Sequence, residues 1–431
     1  MIENFLNIVR VRDLRNKVLF TLAMIAIYQL GSNIPVPGVS YAAIHAVFSQ
    51  AASRQGVLGF LDLFSGGALS RAALFGLGVM PYITASIIIQ LLTGVIPALQ
   101  RWRDEGSSGE RKITQTTRYL TIGLALIQAT GLVFVFHSGL GLLLNGQSVD
   151  LIPQFTLPRV LFIILTLTAG TALVMWMGEL ITERGVGQGM SVLIFANVVS
   201  VIPTAGQLIY EQAGLLKLAV IVLVVLALLV AIVYVELGQR RIPVVFARRV
   251  VGRRMYEGGR TYIPLKVNQA GVVPIIFAAS ILYFPVLLSN IIPWNPLRTF
   301  VNDHLLNATS GFYIITYALL ILVFTFFYVT VSFDPYQQAD IIRQQNGYIP
   351  GIRPGEATQR YLSRILNRIT LPGAVFLAAV AVIPSILLAA WHVTSFPYAG
   401  TTILIAVGVA LETVKQVNSQ LTMRNYEGFL R

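Results

Sequence analysis

Nine stretches of this chain contain no Asp, Glu, Lys or Arg: 18–53, 72–100, 119–149, 160–178, 185–210, 218–235, 267–297, 304–333 and 369–411. A helix that crosses a bilayer needs about 20 mainly apolar residues. The first run breaks at Gly31-Ser32-Asn33-Ile34-Pro35-Val36-Pro37-Gly38, and too little follows for a second span. The last breaks at Trp391-His392-Val393-Thr394-Ser395-Phe396-Pro397, with enough apolar sequence on each side for a helix. The pattern therefore predicts an all-α integral membrane protein of about ten transmembrane helices. The Pro- and Gly-rich break after the first run marks a retained helix rather than a cleaved signal peptide.

Ten spans divide into a first half at 18–204 and a second at 214–418, with 1–17 as an N-terminal segment, 205–213 as an external linker and 419–431 as a tail. Five spans per half make the halves opposite in orientation, as an inverted repeat requires. Residues 57–71 are apolar but short, contain Asp62 and the Gly66-Gly67 break, and run straight into span 2. A stretch of this length re-enters or packs into a cavity, or else lies as an amphipathic connector on the outer interface.

Composition agrees with lipid as the solvent: 55% of the 431 residues are hydrophobic and only 11% charged, against about a quarter charged in a soluble domain. The net charge of +13 is a matter of topology first. With the N-terminus cytoplasmic, 26 of the 31 Lys and Arg residues fall on inner segments and 5 outside (Arg54, Arg71, Arg159, Lys217 and Arg298). The positive-inside rule then sets both termini in the cytoplasm. There is no cysteine, which excludes disulfides, thiol catalysis and cysteine-held metals.

Candidate chemistry is sparse. Glu179, Glu236 and Glu412 fall near cytoplasmic span ends, so no buried carboxylate offers proton coupling. The four histidines (His45, His137, His304 and His392) are scattered, Ser65 and Ser86 have no evident base, and no P-loop is present. The chain reads as a conduit or scaffold without cofactor or metal, not as an enzyme.

Two inner connectors are basic. The one at 238–267 carries eight Lys and Arg residues among β-branched and aromatic ones, with Gly258-Gly259 able to turn a hairpin; the one at 334–368 holds Gly351-Ile352-Arg353-Pro354-Gly355-Glu356. Paired arginines suit phosphate or carboxylate on a partner, such as ribosomal RNA or an acidic protein surface, and they also suit anionic lipid.

Several strings taken in order resemble the SecY family of protein-conducting channels, and its bacterial members most. They are Ser65-Gly66-Gly67-Ala68-Leu69-Ser70-Arg71, Met80-Pro81-Tyr82-Ile83-Thr84-Ala85-Ser86-Ile87-Ile88-Ile89-Gln90-Leu91-Leu92, Ile181-Thr182-Glu183-Arg184-Gly185-Val186-Gly187-Gln188-Gly189, Gly238-Gln239-Arg240-Arg241, Pro264-Leu265-Lys266-Val267-Asn268 and Pro350-Gly351-Ile352-Arg353-Pro354-Gly355-Glu356. The resemblance implies a passive channel in the bacterial plasma membrane. It would take signal peptides and unfolded secretory chains, and would release transmembrane segments sideways into lipid.

The same resemblance implies a pore ring of Val79, Ile83, Ile194, Ile276 and Ile405, with Val79 standing where isoleucine is commoner. It implies a plug helix at about 57–71 including Leu61, Asp62, Phe64, Ser65, Gly66, Gly67 and Arg71. Spans 2, 3, 7 and 8 become a lateral gate with Ser86, Gln90, Gln128 and Asn268 as its polar contacts. Arg240, Arg241, Arg248, Arg249, Arg253, Arg254 and Arg353 become a docking surface for the motor ATPase SecA or a ribosome. Small membrane subunits of the SecE and SecG type are implied as partners.

Overall fold

The structure, a computed structural model, describes residues 11–40, 62, 64–137, 152, 155–246, 249–251, 254–256, 259–291, 295–305, 310–391 and 399–429. In the first half these form α1 (Arg12–Gly31), α2 (Met80–Val95), α3 (Pro97–Asp104), α4 (Ser107–His137), α5 (Leu157–Arg184) and the start of α6 (Gly189–Leu237), which runs on into the second half. The second half follows with β1 (Gln239–Phe246), β2 (Arg249–Val251), β3 (Arg254–Tyr256), β4 (Arg260–Lys266), α7 (Val273–Ile291), α8 (Asn295–His304), α9 (Gly311–Ser332), α10 (Pro335–Gln344), β5 (Gly347–Tyr348), α11 (Glu356–Ala390) and α12 (Ala399–Phe429).

Among the described residues six helical stretches are long and apolar enough to cross a membrane: Ser107–Phe134, Leu157–Arg184, Gly214–Leu237, Gly311–Gln344, Glu356–Leu387 and Gly400–Leu421. The bent pair α2–α3 is a seventh if its two helices count as one span. The other three expected spans coincide with α1 and with the shorter apolar helices Gly189–Pro203 and Val273–Leu282.

Helix boundaries depart from the charge-free runs where Pro and Gly act. The run 72–100 is not one helix. Residues 66–79 are turns, with Gly66, Gly67 and Gly78 at positive φ, and their backbone pairs with the break after α1: Val36 N–H donates to the Ala72 carbonyl at 2.8 Å and Leu74 N–H to the Ile34 carbonyl at 2.8 Å. Helix α2 starts only at Met80 with Pro81 in its first turn. Pro97 holds Ile96 extended, and the chain turns by 98° into α3. The expected linker at 205–213 is helical, and α6 breaks at Gly214 (φ 76°, ψ 173°), a conformation open to glycine alone.

Small residues set the closest packing. A Cβ on Gly170 of α5 would run into the Leu74 carbonyl, and one on Gly400 of α12 into the Val380 carbonyl of α11. Such positions let backbones approach where lipid supplies no hydrophobic drive. Within the first half α4 packs on α2 and α5, and α5 on α1 and α6; within the second, α9 packs on α7 and α11, and α11 on α12. The halves meet where α7 touches α2 and α4, and where α9 touches α2. At the end of the bundle that bears the N-terminus, Leu14, Val186 and Val417 share a small apolar cluster that ties α12 to α1.

The two basic connectors fold together. β1 pairs antiparallel with β4, and β5 from the second connector adds to the other edge of β1. Ile242, Val244 and Leu265 from the strands pack on Ile342, Ile349, Leu362 and Ile365. The hairpin does not reverse at Gly258-Gly259. Val251 pairs with Arg254, and Gly259 lies on the returning arm with its carbonyl accepting from Phe246 N–H at 3.1 Å.

Candidate functional site

Val79 caps the start of α2 and Ile83 follows one turn later on the same face. Ile194 lies on the first part of α6, Ile276 in the first turn of α7 and Ile405 on α12. Their exposures are 0, 9, 6, 4 and 1%, and all five belong to one contiguous buried apolar cluster fed by both halves. That cluster is the common core of the bundle, shared with many further buried residues such as Phe64, Leu193 and Leu404.

Leu61 lies outside the described residues. Asp62, Phe64 and Ser65 are helical, and the chain then turns through Gly66 at φ 67° and Gly67 at φ 81°. Gly67 N–H donates back to the Asp62 carbonyl at 2.9 Å, a Schellman closure with Gly66 in the left-handed position. The Asp62 carboxylate accepts from Ser70 N–H at 2.8 Å and so fixes the next turn. Phe64, Ser65, Ala68 and Leu69 are almost fully buried, unlike a connector lying on the outer interface. Two spans reach in to hold this segment. Asn197 Nδ2 of α6 donates to the Phe64 carbonyl at 2.7 Å and to the Tyr28 hydroxyl of α1 at 2.8 Å. The Tyr28 hydroxyl makes a long, 3.5 Å contact to the Ser65 carbonyl, and its ring stacks on Phe75. Arg71 Nη1 donates to Asn33 Oδ1 at 2.5 Å near the surface.

Of the four expected gate contacts, one bridges the halves in a described hydrogen bond. Gln90 Nε2 of α2 donates to the Tyr328 hydroxyl of α9 at 3.3 Å. Asn268 differs from the expectation: its amide donates to Glu236 Oε1 of α6 at 2.6 Å and to the Gly271 carbonyl at 3.3 Å, both within the second half. The reason is reach, because β4 delivers Asn268 beside the end of α6 from which β1 departs. Ser86 on α2 and Gln128 on α4 are half-buried on two helices that touch α7 or α9.

Arg240 and Arg241 are exposed at the base of the hairpin, and the Arg241 guanidinium lies over the Tyr262 ring at 4.9 Å. Arg249 and Arg254 sit in β2 and β3 at its far end; Arg248 and Arg253 lie outside the described residues. Arg353 is exposed in a turn framed by Gly351 (φ 82°) and Gly355 (φ 100°), and Thr358 Oγ1 secures its carbonyl at 3.0 Å. Because β5 joins the two connectors, Arg240, Arg241 and Arg353 belong to one folded unit.

Sequence reasoning missed Asn197, Tyr28 and Tyr328. Asn197 was detectable in principle, as an amide in the middle of the charge-free run 185–210.

The family model for SecY matches residues 73–414. The protein translocase subunit SecY of Streptomyces scabiei is 47% identical over 440 residues, covering 100% of both chains. The same subunit of Mycobacterium bovis is 47% identical over 446 residues, again with 100% of each covered. Among solved structures, a protein-conducting channel superposes with a TM-score of 0.61 at 17% identity, covering 94% of this chain and 92% of that one. Sec61 from a canine ribosome–channel complex does so with a TM-score of 0.58 at 16% identity and the same coverage.

Proposed function

The chain belongs to the SecY family, and we propose that it is the pore-forming subunit of a protein translocase. In this reading it passes unfolded secretory chains across the bacterial plasma membrane and releases transmembrane segments sideways into lipid. It is a multi-pass membrane protein with a channel-subunit fold, and its family role is non-enzymatic. The observation that carries the reading is the buried aliphatic set Val79, Ile83, Ile194, Ile276 and Ile405, drawn from both halves into one cluster. It acts as a seal that opens around a chain and closes behind it.

Ten spans in two inverted halves, with both termini cytoplasmic, form the conduit. Residues 57–71 are its plug, and α2, α4, α7 and α9 its lateral gate. Burial of Phe64 and Ser65 among α1 and α6 supports the plug, and the Gln90–Tyr328 bond supports the gate seam. The arginine-bearing unit built on β1 and β5 docks the energy source. A ribosome is one such partner, in keeping with the ribosome-bound channel that shares this fold. A SecA-type motor is the other, and SecE- and SecG-type subunits complete the complex.

The test places a photocrosslinker at Ile83, Ile194, Ile276 or Ile405 in turn and arrests a secretory chain in reconstituted vesicles. Crosslinks from all four positions are expected. None, with export intact, would put the path elsewhere.

A further inference from the structure

We propose that Asn197 is a latch for the plug. Together with the Tyr28 hydroxyl it clamps the carbonyl end of the plug's short helix, and release of this clamp is a step in channel opening. The inference rests on reading residues 57–71 as the plug.

A short helix ends with carbonyls that have no partner inside it. Here the Schellman closure uses the Asp62 carbonyl and leaves the Phe64 carbonyl facing a buried site. Asn197 Nδ2 meets it at 2.7 Å, and the same nitrogen donates to Tyr28 at 2.8 Å. Both side chains are fully buried and come from different spans, α6 and α1. The helix end is thus held from two sides by donors that the plug does not carry with it. Gly66 makes the approach possible, because a Cβ there would strike Asn197 Oδ1. Gly78 plays the same part on the other side, where a Cβ would lie 2.8 Å from the Phe64 carbonyl.

The clamp is reversible by construction. Asn197 Oδ1 is buried and has no hydrogen-bond partner among the described residues. An unpaired buried acceptor is costly, and water entering the vacated site would relieve that cost. The Asn197 bond to the Phe64 carbonyl and the longer Tyr28 contact to the Ser65 carbonyl therefore favour the seated plug, while the idle oxygen favours its release. Asn197 is a positioning residue, acting on the pore only through the plug.

The chain has no cysteine, so one introduced thiol reports on one place. Ala68→Cys, at a fully buried plug position, would be labelled in the assembled complex by a membrane-impermeant maleimide applied from outside. Asn197→Leu is expected to raise the labelling rate of the idle channel about fivefold, the effect of one lost net hydrogen bond. Tyr28→Phe, which keeps the ring stack on Phe75, is expected to raise it about twofold. Ala129→Cys, equally buried on α4, serves as the reference thiol and should stay unlabelled in every background.

An unchanged idle rate in both variants, while an arrested chain still exposes Ala68→Cys, would overturn the latch and leave the plug intact. No exposure even with an arrested chain would overturn the plug reading and the latch with it. Labelling of Ala129→Cys in the Asn197→Leu background would show general loosening and likewise sink the proposal.

Discussion

Gln90 of α2 and Tyr328 of α9 are joined across the seam between the two halves by a 3.3 Å hydrogen bond from amide to hydroxyl. Such bonds between spans contribute about 0.6 to 1 kcal/mol each, small enough for an incoming hydrophobic helix to displace. Gln90→Leu and Tyr328→Phe should each loosen the seam and raise export of precursors with a weakened signal sequence about threefold. The double variant should do no more than either single one, since both remove the same bond. Equal export in all four backgrounds would remove Gln90 from the gate.

Arg353 projects from a turn whose backbone is already secured by Thr358 and framed by two left-handed glycines. Its side chain is thus free of structural duty in that turn and available to a partner. Arg353→Glu should abolish export in reconstituted vesicles while the protein inserts normally and keeps its protease-resistance pattern. Arg353→Lys should restore part of the activity, because charge remains and only the planar fork is lost. Full export by the glutamate variant would end the docking role.

Legibility in the sequence followed the strength of the physical signal. The spans could be read because an unpaired charge in lipid is expensive, and charge-free runs therefore mark helices wherever nothing else intervenes. The reading lost accuracy where backbone chemistry intervened within an apolar run. Pro97 bends the second span into α3, and Gly214 moves the break in α6 past the residues expected to form a linker. The hairpin was expected from its β-branched residues, but its reversal point depended on strand register, which glycine position alone does not fix. In the candidate site, the five aliphatics Val79, Ile83, Ile194, Ile276 and Ile405 were named through family resemblance, and all five are buried. Asn197 stands out only as an amide within an apolar run, and Tyr328 not at all, since an amide or phenol gains its role from the partner that folding brings to it.

Arg118 of α4 binds Glu179 of α5 through Nε and Nη2, each donating to one carboxylate oxygen at 2.8 Å. The side chains are 39% and 18% exposed, so solvent screens part of the attraction. After that discount the paired, charge-assisted geometry should contribute about 1 kcal/mol. Arg118→Ala and Glu179→Ala should each lower the thermal midpoint of the purified complex modestly. A double-mutant cycle should return a coupling of that size, and zero coupling would mark the pair as ornamental.

The Asn268–Glu236 bond predicts a different phenotype from Gln90, although both amides lie near the same seam. Asn268 sits in the short link between β4, which ends at Lys266, and α7, which carries Ile276. Its bond runs at 2.6 Å to the last turn of α6, so it pins that link within one half instead of joining the two. Asn268 is 3% exposed and its Oδ1 already has no partner among the described residues. Removing Glu236 would leave Asn268 Nδ2 with only its 3.3 Å bond to the Gly271 carbonyl, so that one of its N–H groups is unmatched too, with a cost of about 1 to 3 kcal/mol for a buried polar group left unmatched. Glu236→Leu should therefore destabilise the complex more than Gln90→Leu does. Combining it with Asn268→Leu should recover part of the loss, because no buried polar atom of the pair is then left. Signal-sequence stringency should move little in Asn268→Leu, since no bond across the seam is broken. Thermal unfolding measured beside export of a weakened-signal precursor separates the two roles. A large gain in such export with Asn268→Leu, at unchanged stability, would return Asn268 to the gate and reassign the Glu236 bond as incidental.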